Sequence, residues 1–103
     1  MALLELGNNS LEEIAEKATK PILLNFHATW CGPCKMLAPL VLELAEEADD
    51  LMDVYRIDID EKPELAEQMD VNVVPTLIVI KNNEITNKST GFIPKADILE
   101  LLK

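Results

Sequence analysis

The segment Ile22-Leu-Leu-Asn-Phe26 is apolar at every position but Asn25, and Lys20-Pro21 breaks the chain just before it. A short run of this kind, without polar alternation, is a strand buried in the interior. A strand so buried demands covering elements, and the flanking sequence supplies them. Upstream, Leu11, Ile14, Ala15 and Ala18 form an apolar stripe at helical spacing, opened by Ser10 and Glu13 as a capping box. Downstream, Leu37, Leu40, Val41, Leu44, Ala45 and Ala48 recur with the same period, and Glu43, Glu46 and Glu47 occupy the outer side. Pro39 falls inside this long helix and is expected to kink it, because proline lacks a backbone donor and crowds the preceding turn.

The rest of the chain continues the alternation. Leu3 to Leu6 reads as a short strand and Val54-Tyr-Arg-Ile-Asp-Ile59 as an alternating one. Asp60 to Met69 is expected to be helical, with Pro63 near the first turn. Thr76 to Ile80 and Ile85 to Thr90 are strands joined by a hairpin turn over Lys81-Asn-Asn-Glu84. Gly91 ends the last strand, and Pro94 to Leu102 closes the chain as an amphipathic helix. The early βαβ units imply parallel pairing and the late hairpin antiparallel pairing. The expected architecture is α/β: a mixed five-stranded sheet flanked by four helices, as a single domain over residues 1–103.

Charge narrows the function classes. Nineteen acidic residues against nine basic ones give a net charge of −10. Such a surface repels nucleic acid phosphates and anionic lipid, so neither is an expected partner. It favours partners with a basic docking face, or serves solubility alone. No apolar stretch approaches the roughly 20 residues needed to cross a bilayer. The first residues show no basic region, long apolar run or small-residue cleavage site, and the expected location is cytoplasmic.

The two cysteines are three positions apart, too close to tie distant parts of a chain together. They read as chemical groups. Cys31-Gly-Pro-Cys34 follows the buried strand and opens the long helix. Free N–H groups at a helix start carry partial positive charge, which favours a thiolate at Cys31, lowers its pKa and makes it the attacking sulfur. Cys34, one turn further, is expected to be less exposed and protonated. The two sulfurs can close a disulfide across one turn, with Pro33 restricting that turn and Gly32 leaving room for a partner chain. Cys31 would attack a substrate disulfide and Cys34 would resolve the mixed disulfide. The alternatives are half of a zinc site or an inert core pair. Zinc needs four ligands, and the sequence offers only His27 beyond the two cysteines, so no metal is expected.

On these residues the chain resembles the thioredoxin family. The matching pieces are Phe26, Ala28-Thr-Trp-Cys-Gly-Pro-Cys-Lys-Met36, Ala38-Pro39, Asp58-Ile-Asp60, Val74-Pro75-Thr76, Lys81-Asn82 and Gly91, spread along essentially the whole chain. The resemblance implies the thioredoxin fold and a cis peptide before Pro75. It implies a substrate groove shaped by Trp30, Val74, Pro75, Thr76 and Gly91 around Cys31 and Cys34. It also implies a general protein disulfide reductase, reduced in turn by a flavin or iron–sulfur thioredoxin reductase. Such a protein is a monomer with no cofactor beyond its redox-active disulfide. An oxidase or isomerase fits the Gly-Pro pair less well, and a binding module with an incidental dithiol is the non-enzymatic alternative.

One residue departs from the family pattern. Asn25 stands where most thioredoxins carry a buried Asp that moves protons to and from the second cysteine. Asn25 can hydrogen bond but has no proton to exchange at neutral pH, so a slower but competent enzyme is expected. Arg56 takes the place of a family Lys, and Asp58, two residues along the same strand face, is its expected partner. Lys35 is expected either to add positive charge near the thiolate or to be a plain exposed helix lysine. His27 is expected to be an ordinary exposed ring at the rim.

Overall fold

The computed structural model describes residues 3–5 and 11–103. Ser10 and Leu6, expected at a helix cap and a strand end, lie outside the described residues. Alternation of side chains along the strands decides how the layers assemble. On β2 (Ile22–His27), Ile22, Leu24 and Phe26 point to one face and Leu23 to the other, all fully buried. The first set packs with Ala15 of α1 (Leu11–Lys17) and Ala66 of α3 (Pro63–Gln68). The second packs with Leu37, Val41, Leu44 and Ala45 of α2 (Gly32–Glu47) and Ile98 of α4 (Lys95–Leu101). Each such aliphatic side chain contributes about 1.5–3 kcal/mol on leaving water. Two apolar layers thus hold helices against both faces.

The five-stranded sheet has the order β1-β3-β2-β4-β5 among the described residues, with β1 Leu3–Glu5, β3 Asp53–Asp58, β4 Thr76–Lys81 and β5 Glu84–Thr90. Pairing is parallel for β1–β3 and β3–β2, and antiparallel for β2–β4 and β4–β5. This is the mixed sheet the sequence implied. The hairpin turns at Asn82 and Asn83, both with positive φ (52° and 65°). That is the two-residue turn whose twist matches paired strands, and asparagine tolerates it better than most side chains.

Element ends differ from the sequence reading. The helix expected from Asp60 begins only at Pro63, because the N–H groups of Glu61 and Lys62 donate back to Asp58 O and fold 59–62 into a turn. The strand expected at Val54–Ile59 runs one residue earlier, Asp53–Asp58. As the sequence reading had it, Pro39 falls inside the long helix, which is one element of 16 residues. Proline removes a single bond there, while apolar contacts on both sides of it persist.

Candidate functional site

Cys31 is the N-cap of α2, with φ −93° and ψ 113°, and the two following residues are Gly32 and Pro33. An N-cap side chain receives the N–H two or three residues on. Here the Cys34 N–H donates to Cys31 Sγ at 3.2 Å. The sequence therefore places a sulfur where an oxygen usually caps a helix. Cys31 and Cys34 form a disulfide, with Cα atoms 5.2 Å apart. The expected contrast in exposure is absent: Cys31 is 5% and Cys34 4% exposed. In the oxidised pair both sulfurs face inward, packed with Ala28 and against Ile59 and Val74.

The loop before β4 closes over this pair. The Val74–Pro75 peptide is cis, as the resemblance implied, and Val74 O lies 3.6 Å from Cys31 Sγ. Thr76 is buried, and its hydroxyl donates to Val73 O at 2.6 Å, so it fixes the loop from beneath. Gly91 has φ 85°, a conformation other residues rarely take, and its N–H donates to Pro75 O at 2.8 Å. Trp30 is 66% exposed and tethered at one point, Nε1–H donating to Asp60 Oδ2 at 2.9 Å. Of the expected groove residues Val74 touches the disulfide, Pro75, Thr76 and Gly91 are tied to the Val73–Pro75 loop that carries it, and Gly32 and Pro33 lie exposed between the cysteines.

Beneath the site the arrangement is less expected. Asn25 is 1% exposed and in register with Arg56, and both Asn25 Oδ1 and Arg56 Nε are buried without a hydrogen-bond partner. The expected Arg56–Asp58 pair does not form among the described residues. Asp58 Oδ1 instead accepts the Asp60 N–H at 2.8 Å, because the strand ends there and the turn needs a cap. His27, expected to be exposed, is half-buried and has a partner. Lys35 is exposed on the first turn of α2. No cluster of His, Cys, Asp or Glu able to hold a metal occurs among the described residues.

The sequence reading gave Asp60 no role, although it anchors the indole. The spacing of Asp58 and Asp60 at a strand end was the available signal, since short acidic side chains there cap turns. Met36, Val73 and Phe92, chain neighbours of the site, are exposed apolar residues also passed over. Among the described residues no helix is long and apolar enough to cross a membrane.

Comparison with known proteins follows the same line. The Thioredoxin family model matches residues 2–103. A thioredoxin of Staphylococcus haemolyticus is 41% identical over 99% of this chain and 96% of its own length. A thioredoxin-like protein of Synechocystis is 39% identical over 100% of this chain and 94% of its own. Among solved structures, a mutant thioredoxin from Halobacterium salinarum superposes with a TM-score of 0.86 at 34% identity, covering 97% of this chain and 87% of that one.

Proposed function

Because the chain belongs to the thioredoxin family, and is thereby a thiol–disulfide oxidoreductase, we propose that it is a general reductase of protein disulfides in which Cys31 attacks and Cys34 resolves. The observation that carries this order is the Cys34 N–H donating to Cys31 Sγ at the start of α2. A sulfur anion at Cys31 is stabilised by that donor and by the positive end of the helix. Cys34 lies one turn inside and lacks this position.

In the reduced protein, Cys31 thiolate attacks one sulfur of a substrate disulfide, forming a mixed disulfide and releasing the other substrate sulfur as a thiolate. Cys34 gives up its proton and attacks Cys31 Sγ. The mixed bond breaks, the second substrate sulfur leaves, and the Cys31–Cys34 disulfide forms. Two electrons have passed to the substrate. Trp30, Val74, Pro75, Thr76 and Gly91 shape the groove that receives the substrate chain, with Val74 O facing the reacting sulfur. Gly32 and Pro33 set the turn, Lys35 adds positive charge, and Asn25 and Arg56 support the site from below.

On this reading residues 1–103 act as one domain, monomeric, in a reducing compartment such as the cytoplasm. A flavin or iron–sulfur thioredoxin reductase restores the dithiol, and no further cofactor takes part. The test is reduction of insulin by the wild-type protein with Cys31→Ser as control. Wild type should precipitate insulin and the variant should not, while Cys34→Ser should accumulate a mixed disulfide visible by mass spectrometry. Equal, poor reduction by wild type and Cys31→Ser would refute the reductase reading.

A further inference from the structure

The chain carries ten more negative than positive charges, yet two cations stand together on it without a carboxylate. Lys35, next in sequence to Cys34, and Arg56 of β3 line one open groove with Ala38, Pro39 and Leu42 of α2, about 410 Å³ in volume. Lys20, Lys95 and Lys103 are held in ion pairs. Neither Lys35 nor Arg56 is paired with a carboxylate among the described residues. Arg56 Nε is moreover shielded from solvent with no acceptor, an unfavourable state for a guanidinium donor.

The walls of the groove are apolar. Leu42 is 47% exposed and Pro39 is exposed, while Leu37, Val41 and Leu44 of the same helix are buried. Lys35, Pro39, Leu42 and Glu46 follow one another at helical spacing, so this strip of α2 is positive at its Lys35 end, inside the groove, and negative at Glu46, beyond the groove lining. This polarity is opposite to the general field of the molecule only beside Cys34.

We infer that this groove docks a segment of the partner protein in which an acidic side chain stands next to a large apolar one, and so selects among disulfide proteins that approach the dithiol. The inference rests on the reductase reading and names its partner class. The partner's carboxylate bridges the Lys35 ammonium and the Arg56 guanidinium at the groove, with Nε staying buried, and its apolar neighbour lies on Ala38, Pro39 and Leu42. The charge gradient fixes direction, with the acidic residue toward the redox centre.

The test uses three cysteine-free peptides that differ at one position, Glu-Leu, Gln-Leu and Lys-Leu, titrated into the oxidised protein and followed through its backbone amide NMR signals. The Glu-Leu peptide should shift Lys35, Ala38, Leu42 and Arg56. It should bind about ten-fold more tightly than Lys-Leu at about 20 mM salt, with a smaller gap at about 200 mM as screening sets in. Leu42→Glu should remove the preference by placing a competing carboxylate in the groove. Equal binding of the Glu and Lys peptides, or shifts confined to Trp30, Val74 and Gly91, would overturn the docking site. A second arm uses the same peptides with a disulfide attached and the reduced protein. Leu42→Glu should raise the half-saturating concentration for the acidic substrate about ten-fold, leaving a small neutral disulfide unaffected. If the peptides bind as expected but no disulfide is reduced, the reductase reading fails and the docking site stands.

Discussion

Asn25 is buried on β2, six residues before Cys31, with its Oδ1 and the Nε of its register neighbour Arg56 both unmatched. Replacing the amide by a carboxylate exchanges a neutral acceptor for a charged one in register with Arg56 and introduces a proton-exchanging group on β2. Asn25→Asp should therefore accelerate resolution by Cys34 in rapid-mixing experiments, by less than the roughly 10²–10⁴ of a directly placed base. Identical rates for the two forms from mildly acidic to neutral pH would exclude such a role. The residues around the dithiol were readable in sequence because Cys31, Gly32, Pro33 and Cys34 are contiguous, and a local motif fixes its own geometry. Arg56 was not. Its expected partner Asp58 is close on the strand, but which backbone donor claims that carboxylate depends on how the following turn closes.

Among the elements, α2 carries the largest load, since its inner face joins the sheet and its N-terminus holds Cys31. Leu44 is 1% exposed in the layer with Leu23, Val54 and Leu77. Leu44→Ala should cost about 2–5 kcal/mol by urea denaturation, the loss expected for a truncated buried leucine. Leu42→Ala, on the same helix but 47% exposed, should cost under about 1 kcal/mol. Equal losses would mean that the helix does not pack by this face. Apolar spacing made that face legible from Leu37, Val41, Leu44 and Ala45. The start of α3 was less legible, because Asp60 to Lys62 suit a helix as well as a turn, and only the bonds back to Asp58 O decide between them. Pro39 was legible as lying inside the helix rather than ending it, because the apolar spacing runs on past it.

Across the whole molecule, net charge sets the response to solution conditions. At −10 the native state is compressed against its own repulsion, and screening relieves it. The urea midpoint should rise as sodium chloride increases from about 20 to about 200 mM; an unchanged or falling midpoint would contradict this. At high pH two groups act together. Tyr55 is raised above its ordinary value of 10.0, mainly by burial and also by Asp53. Lys95 is raised above 10.5, first by its hydrogen bond to Glu47. Both raised values mean that the folded state holds these protons more tightly than the unfolded chain. Stability is then intact below about pH 10 and declines as pH climbs from there through the folded-state values. Tyr55→Phe should flatten the first part of that decline, measured as urea midpoint against pH.

The bond from Gly91 to Pro75 couples the outermost strand to the strip of backbone opposite the cysteines. On the proposed reading, a cargo polypeptide laid along that strip meets a lip whose spacing is already set before contact. Little ordering then remains to be done on the carrier's side, so discrimination between cargoes falls to the shape and charge of their own flanking side chains.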